Sequence, residues 1–297
     1  MTTKIRNRRR HSAGQITFRI VNGLILSFLA FIMLYPFWDL LVVSISPSTY
    51  AARSGLKIWP VEGVSSAAYR AVLVNPKVLL AYRNTIFRTV VGTVASILMY
   101  FMAAYPLSKP NLPFRRFFNL FYLIPMFFSG GLIPEYLNLS TLGLIDTIWV
   151  LILPCLMSTY NLLIVRNFVA GIPESLEESA RVDGASFVRI LFHIIMPLSL
   201  PVLATVALWV AVGHWNAWYD AMVYTHRNDL VVLQRYLRDL ILTARESTND
   251  SISGAEAVLP RQIEAATTLV ALGPILLTYP FVQKYFVKGV MVGSVKG

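Results

Sequence analysis

Apolar residues along this chain gather into six runs, each near the roughly twenty residues an α-helix needs to cross hydrocarbon. The first extends from about Ile16 to Val43 and carries Pro36. The second covers about Thr85 to Leu107. The third covers Phe117 to Leu137 and is broken by Pro125, Gly130, Gly131 and Pro134. The fourth covers Thr147 to Phe168, the fifth Leu198 to Tyr224, and the sixth Ala265 to Tyr285 with Pro274 and Pro280 inside it. Proline and glycine within a span are tolerated where neighbouring helices or a cavity satisfy the freed backbone groups. The pattern therefore predicts an all-α integral membrane fold, six transmembrane helices bundled around a pathway.

Composition agrees. Only 14% of residues are charged and 56% are hydrophobic, whereas soluble domains carry about a quarter charged residues. The formal charge of +11 invites a nucleic-acid reading, but Lys4, Arg6, Arg8, Arg9 and Arg10 sit directly before the first apolar run. Cations placed there hold an N-terminus in the cytoplasm. The following run is too long for a signal peptide and no small-residue cleavage site ends it, so it is expected to stay as the first helix. Six spans put the C-terminus inside as well, and fifteen of the 26 Lys and Arg then lie inside. Arg83 and Arg88, at the outer end of the second span, are expected to snorkel to the interface; facing the pathway is the alternative. The single cysteine, Cys155, reads as a small buried hydrophobe. His11, His193, His214 and His226 show no metal spacing, and His214, beside Trp215, reads as a packed, hydrogen-bonded side chain, with facing the pathway as the alternative. No phosphate-binding loop and no nucleophile–base pair stands out, so no catalytic residue, metal site or cofactor is expected in this chain.

The segment Gly171–Pro201 between the fourth and fifth runs reads as two short helices and a turn. Pro173 suits a first helical position, and Glu174, Glu177 and Glu178 load the positive helix start with acid. Leu176 and Ala180 stand four apart on one face, flanked by Ile172 and Val182. Gly184 can end the helix in a left-handed conformation, Ser186 can cap the second helix, and Pro197 opens the next span. The acids argue against DNA and against anionic lipid, leaving another protein as the surface this pair docks on.

Glu178-Ser179-Ala180, Gly184 and Pro197 resemble the EAA loop of importer permeases that work with a binding protein and an ATPase. The string from Glu177 to Ser186 is similar to the carbohydrate-type, MalG-like members, with Ser179 where alanine is usual. Asn84-Thr85, Ala104 to Ser108, Leu142 to Thr147, Gly213 to Trp218 and Gln283 to Gly289 resemble them too, so the likeness covers about residues 80–297. The tail from Lys288 to Gly297 resembles a subgroup that imports oligosaccharides, including acidic ones such as alginate or pectin fragments.

The resemblance implies a type I ABC importer permease with a cytoplasmic coupling helix, carrying oligosaccharides inward across the bacterial inner membrane. It implies a second related permease, a cytoplasmic ATPase dimer holding ATP and Mg, and an extracytoplasmic binding protein as partners. The expected layout is a basic N-terminus (1–15), a transmembrane domain (16–288, core 80–288, coupling loop 171–196) and a tail (289–297). ATPase coupling falls on Glu177, Glu178, Ser179, Ala180, Asp183 and Gly184. Trp215, Asn216, Trp218, Tyr219 and Asp220 supply ring faces and polar groups for a sugar pathway, with membrane-interface anchoring or helix packing of the aromatics as the plain alternative. Arg235 and Arg238, three apart in the outer segment 225–264, are candidates for steering an anionic substrate, or ordinary solvated surface. An importer of peptides or amino acids, and a secondary transporter using Asp39 or Asp220, remain as alternatives.

Overall fold

The computed structural model describes residues 13–53, 55–60, 63–246, 260–274 and 276–277, and every regular element among them is helical. Two compact units separate, residues 1–71 with 251–269 and residues 72–250 with 270–297.

In the first unit, α1 (Ala13–Ile45) runs through Pro36 without a break. None of its most apolar stretch is buried in the chain, which is the signature of a helix solvated by lipid. Two short helices follow, α2 (Ser48–Ala51) and α3 (Ala67–Leu73), the second reaching the boundary between units. Polar ties close the end of α1. The Trp38 indole donates to the Ile58 carbonyl at 2.8 Å, the buried Lys57 donates to the Ala51 carbonyl, and Arg261 lies 3.5 Å from Asp39.

The second unit is organised on α4 (Pro76–Ser108). Asn75 caps it by accepting from the Lys77 N–H at 3.0 Å, and Pro76 opens it where no N–H is needed. This cap starts the helix nine residues before the expected Thr85, since Lys77 and Arg83 interrupt the apolar pattern of its first turns and hide them from a hydropathy reading. Around its lower half a core forms from Tyr100, Phe101, Ala104, Leu162, Val165, Ile195 and Val206.

The remaining elements are short and angled. Helices α5 (Arg115–Phe127) and α6 (Leu132–Thr141) meet at 117°. The run Phe128-Ser129-Gly130-Gly131 parts them, with Gly131 at φ +86°, a conformation that suits glycine. A 3₁₀ run from Ile148 to Cys155 bends by 50° into α7 (Thr159–Ala170). Then come α8 (Ser175–Val182), α9 (Phe187–Ile190), a π turn (Leu191–Ile195) and α10 (Met196–Leu198). The stretch Phe187–Leu198 bends by 75° into α11 (Leu200–Asn216), where Pro197 and Pro201 each remove a backbone donor. Pro197 thus precedes the bend rather than opening the long helix. Then follow α12 (Tyr219–Tyr224) and α13 (Leu233–Glu246), and Ala271 packs beside Trp215 and Leu233.

Among the described residues, two helices, Thr17–Ile45 and Pro76–Ser108, are long and apolar enough to cross a membrane alone; counting each bent pair as one span gives five. The expected sixth span is described only to residue 274 and at 276–277; the rest of it lies outside the described residues.

Candidate functional site

Two features of the second unit hold the residues singled out by sequence. The first is a cavity of about 510 Å³ at the break between α11 and α12. Ala217 and Trp218 are not helical, so the carbonyl of Ala217 loses its helical partner. Arg88 of α4 supplies one, its Nη1 lying 3.4 Å from that carbonyl. The same guanidinium takes both Asp220 oxygens, Nη1 to Oδ1 at 3.1 Å and Nη2 to Oδ2, and its Nε donates to His214 Nδ1 at 3.3 Å. This fork-on-fork pairing fixes the start of α12, because Asp220 Oδ1 also accepts its neighbour's N–H, that of Ala221. The Arg88 side chain is 1% exposed and that of Asp220 18%, so the carboxylate is the wetter partner.

Gly92 permits this arrangement. A Cβ there would lie 2.5 Å from His214 Nε2, so only glycine lets α4 approach α11 so closely. The cavity wall also carries Trp209, Trp218 and Tyr219 as ring faces, with Asn161 and Asn216 as amides. Tyr100 holds the opposite side, its hydroxyl accepting from the Ser158 N–H at 3.2 Å. Arg238 of α13 covers one face of Trp218 at 3.8 Å from the ring centroid. A neighbouring cavity of about 300 Å³ shares Cys155, Tyr219 and Asp220, and adds Glu135 and Gly131 from the α5–α6 break.

The second feature is the α8–α9 turn. Gly184 has φ +78°. Its N–H reaches the Arg181 carbonyl at 3.0 Å, and the Ala185 N–H reaches the Ala180 carbonyl at 2.9 Å. These are the paired bonds of a Schellman motif, with glycine at the left-handed position. Ser186 then caps α9 by accepting from the Arg189 N–H. Two faces of α8 differ. Glu178, Ser179, Val182 and Asp183 are exposed, Val182 by 88%. Glu177 is buried, and Ala180 packs against the core.

Residues 92–219 match the family described as binding-protein-dependent transport system inner membrane component. Protein LplC of Bacillus subtilis (strain 168) is 38% identical over 286 residues, covering 96% of each chain. The polygalacturonan/rhamnogalacturonan transport system permease protein YtcP of the same organism is 36% identical, covering 94% of this chain and 97% of that one. The chain belongs to that family. As a permease of this kind it is a transporter component and not an enzyme. One solved structure, a bacterial ABC transporter involved in the import of the acidic polysaccharide alginate, superposes with TM-score 0.84 at 33% identity, covering 93% of this chain and 99% of that chain.

The permease brings four of the five expected pathway residues, Asn216, Trp218, Tyr219 and Asp220, to one cavity wall. Trp215 is the exception. It is 8% exposed and packs with Ala81, Leu233 and Leu237, edge-on to Tyr82, because it points away from the cavity on the same helix turn. Arg88 does not snorkel; it is buried against Asp220 and His214. Cys155 is an exposed cavity residue, not a buried hydrophobe, because the 3₁₀ turn that carries it faces both cavities. His214 is packed and hydrogen-bonded as expected, while His11 lies outside the described residues.

In the α8–α9 turn, Gly184 and Ser186 do what their residue types predict. Pro173 lies before α8, whose helical backbone begins at Glu174, and Val182 points away from Ala180 rather than flanking it. Arg235 is spent on the end of α12, donating to the carbonyls of Ala221 and Thr225 at 2.8 and 2.7 Å. Tyr100, Ser158, Asn161 and Trp209 also line the cavity, and no motif in the sequence marks them. The only signal for them was a helical spacing that core residues share.

Proposed function

We propose that this permease carries oligosaccharides inward as one half of a pathway that a second, related permease completes. A cytoplasmic ATPase dimer, binding ATP and Mg in its own sites, drives it by docking on the exposed face of α8. An extracytoplasmic binding protein delivers the sugar, and both termini of the permease are cytoplasmic. The observation that carries the reading is the cavity at the α11–α12 break, with three aromatic faces and two amides beside Cys155. Rings with a few placed polar groups suit ligands that have both apolar faces and hydroxyls. The names of two relatives favour an acidic oligosaccharide, polygalacturonan or rhamnogalacturonan for one and alginate for the other.

A coupling-ion transporter is less well supported, since Asp220 and Asp39 both lie against arginines. The test uses Cys155, the single cysteine. In proteoliposomes of the full complex, oligogalacturonate supplied with the binding protein should slow maleimide labelling of Cys155, and a dipeptide mixture should not. Labelling that no oligosaccharide slows, together with no sugar uptake, would refute the reading.

A further inference from the structure

Glu177 faces the interior of the chain and not the open face of α8. It is 5% exposed, although it lies on a helix whose opposite face is open. Its Oε2 accepts from the Tyr105 hydroxyl at 2.9 Å, and its Oε1 accepts from Lys109 Nζ at 2.5 Å. Arg181, one turn along α8, stands 3.7 Å from Oε2. Tyr105 is itself 2% exposed and meets Phe187 of α9 edge-on at 5.5 Å between centroids. Lys109 lies over the Tyr105 ring at 5.1 Å. The end of α4 is therefore held by both arms of the coupling loop, through a charged clasp to α8 and an aromatic contact to α9.

The other part of α4 forms the cavity. Arg88 lines it, and Gly92 sets how closely α11 approaches. From Arg88 to Tyr105 a continuous helix rises about 26 Å, at about 1.5 Å per residue. A helix is stiff along its axis, so motion imposed on Tyr105 must reach Arg88. A surface contact could not supply the grip. A buried carboxylate holding two donors at once resists both sliding and rotation of α8 on α4, and losing one partner of such a group is costly.

We propose that Glu177 is the positioning residue that hands displacement of the coupling helix to α4, and thereby to the cavity wall, without contacting the ATPase. Glu178, Ser179, Val182 and Asp183 make the outer contact; Glu177 makes the inner one. This rests on the ATPase-docking role proposed above for α8.

The experiment compares native complexes containing Glu177→Leu, Glu177→Gln and Tyr105→Phe. The first readout is the rate at which Cys155 reacts with fluorescein maleimide, without nucleotide and with Mg-ATP plus vanadate. The second is sugar transported per ATP hydrolysed. The third is recovery of the ATPase with the permease. In Glu177→Leu the ATPase should copurify and hydrolyse ATP as before. The effect of nucleotide on Cys155 labelling should vanish, and sugar per ATP should fall about tenfold, within the range usual for linked sites. Glutamine keeps an acceptor for Lys109 and a polar partner for Tyr105, so Glu177→Gln should recover much of both. Tyr105→Phe keeps the ring and should fall between them, which covers the case of a leucine variant that fails to fold. Loss of ATPase recovery in Glu177→Leu or Glu177→Gln would overturn the proposal by making Glu177 a docking residue. Wild-type nucleotide dependence persisting in Glu177→Leu would overturn it with the docking role intact. No nucleotide dependence in wild type would remove that role and the proposal together.

Discussion

The Arg88–Asp220 pair makes an asymmetric prediction. Replacing Asp220 with asparagine keeps the size and one acceptor but removes the charge, leaving the guanidinium of Arg88, 1% exposed, without a counter-ion. Removing one partner of a buried pair costs about 3–5 kcal/mol. At about 2–4 °C per kcal/mol for a chain of this order of length, Tm should fall by roughly 6–20 °C. Arg88→Met orphans the other charge, but Asp220 is 18% exposed and borders the cavity, where water can reach it. Its Tm should fall by less. The double variant Arg88→Met/Asp220→Asn leaves no buried charge and should be more stable than Asp220→Asn alone. The assay is thermal unfolding of the purified permease in detergent, followed by tryptophan fluorescence. An Arg88→Met loss equal to or larger than the Asp220→Asn loss would refute the argument from burial. Additive losses in the double variant would refute the pairing itself. Uptake should suffer in all three, since Trp218 and Tyr219 lose the anchored break that aims them.

Other expectations follow from local geometry. Gly184→Leu places a branched side chain at φ +78°, costing about 1–3 kcal/mol locally; membrane insertion should survive while ATPase recovery and uptake are lost, as pull-down and transport assays would show. Gly92→Ala puts a Cβ 2.5 Å from His214 Nε2 and should cost about 1–3 kcal/mol by overpacking; combined with His214→Ala its loss should be less than additive, and additive losses would place the clash elsewhere. Asp146, in a left-handed conformation at φ 57°, accepts from the backbone N–H of His226 and of Arg227. These bonds, that of His226 first, hold its carboxyl below the usual carboxylate range. A depressed folded pKa means the contribution is full above the unfolded value of about 3.9 and is lost as pH falls through the folded one. Limited proteolysis of the 225–232 turn should therefore rise only below about pH 4, whereas Asp146→Asn should be cut readily at neutral pH.

Much of the fold was legible because hydrophobic length and punctuation are local signals. The coupling turn was the clearest case: glycine at a helix end and serine before the next helix each have one strong conformational preference, and both are realised. The cavity was legible in part. A sequence shows that Trp215, Trp218 and Tyr219 are close along the chain, but α11 ends at Asn216, and the change of direction sends Trp215 into the core and the others to the cavity. Arg88 was misread because a lone arginine near the end of a span carries no mark of its partner, which lies far along the chain at Asp220.

These errors share a cause. In a lipid-facing chain, polar side chains are needed wherever the helical ladder breaks, since freed carbonyls cannot turn to water. Arg88 reaches the carbonyl of Ala217 at one break, and Arg235 those of Ala221 and Thr225 at the end of α12. Both arginines looked like surface or steering charges when only neighbours in sequence were considered. Their positions follow once the breaks are known, and the same breaks expose Trp218, Tyr219 and Cys155 to a cavity. A substrate entering there therefore meets ring faces and amides, beside an arginine already neutralised by Asp220. Recognition of a sugar carboxylate in this cavity would require opening that pair. Asp220→Asn should then increase binding of an oligouronate relative to a neutral sugar of equal length. Competition for Cys155 labelling measures this, with Tm monitored in parallel, and an unchanged ratio would place carboxylate recognition outside this cavity.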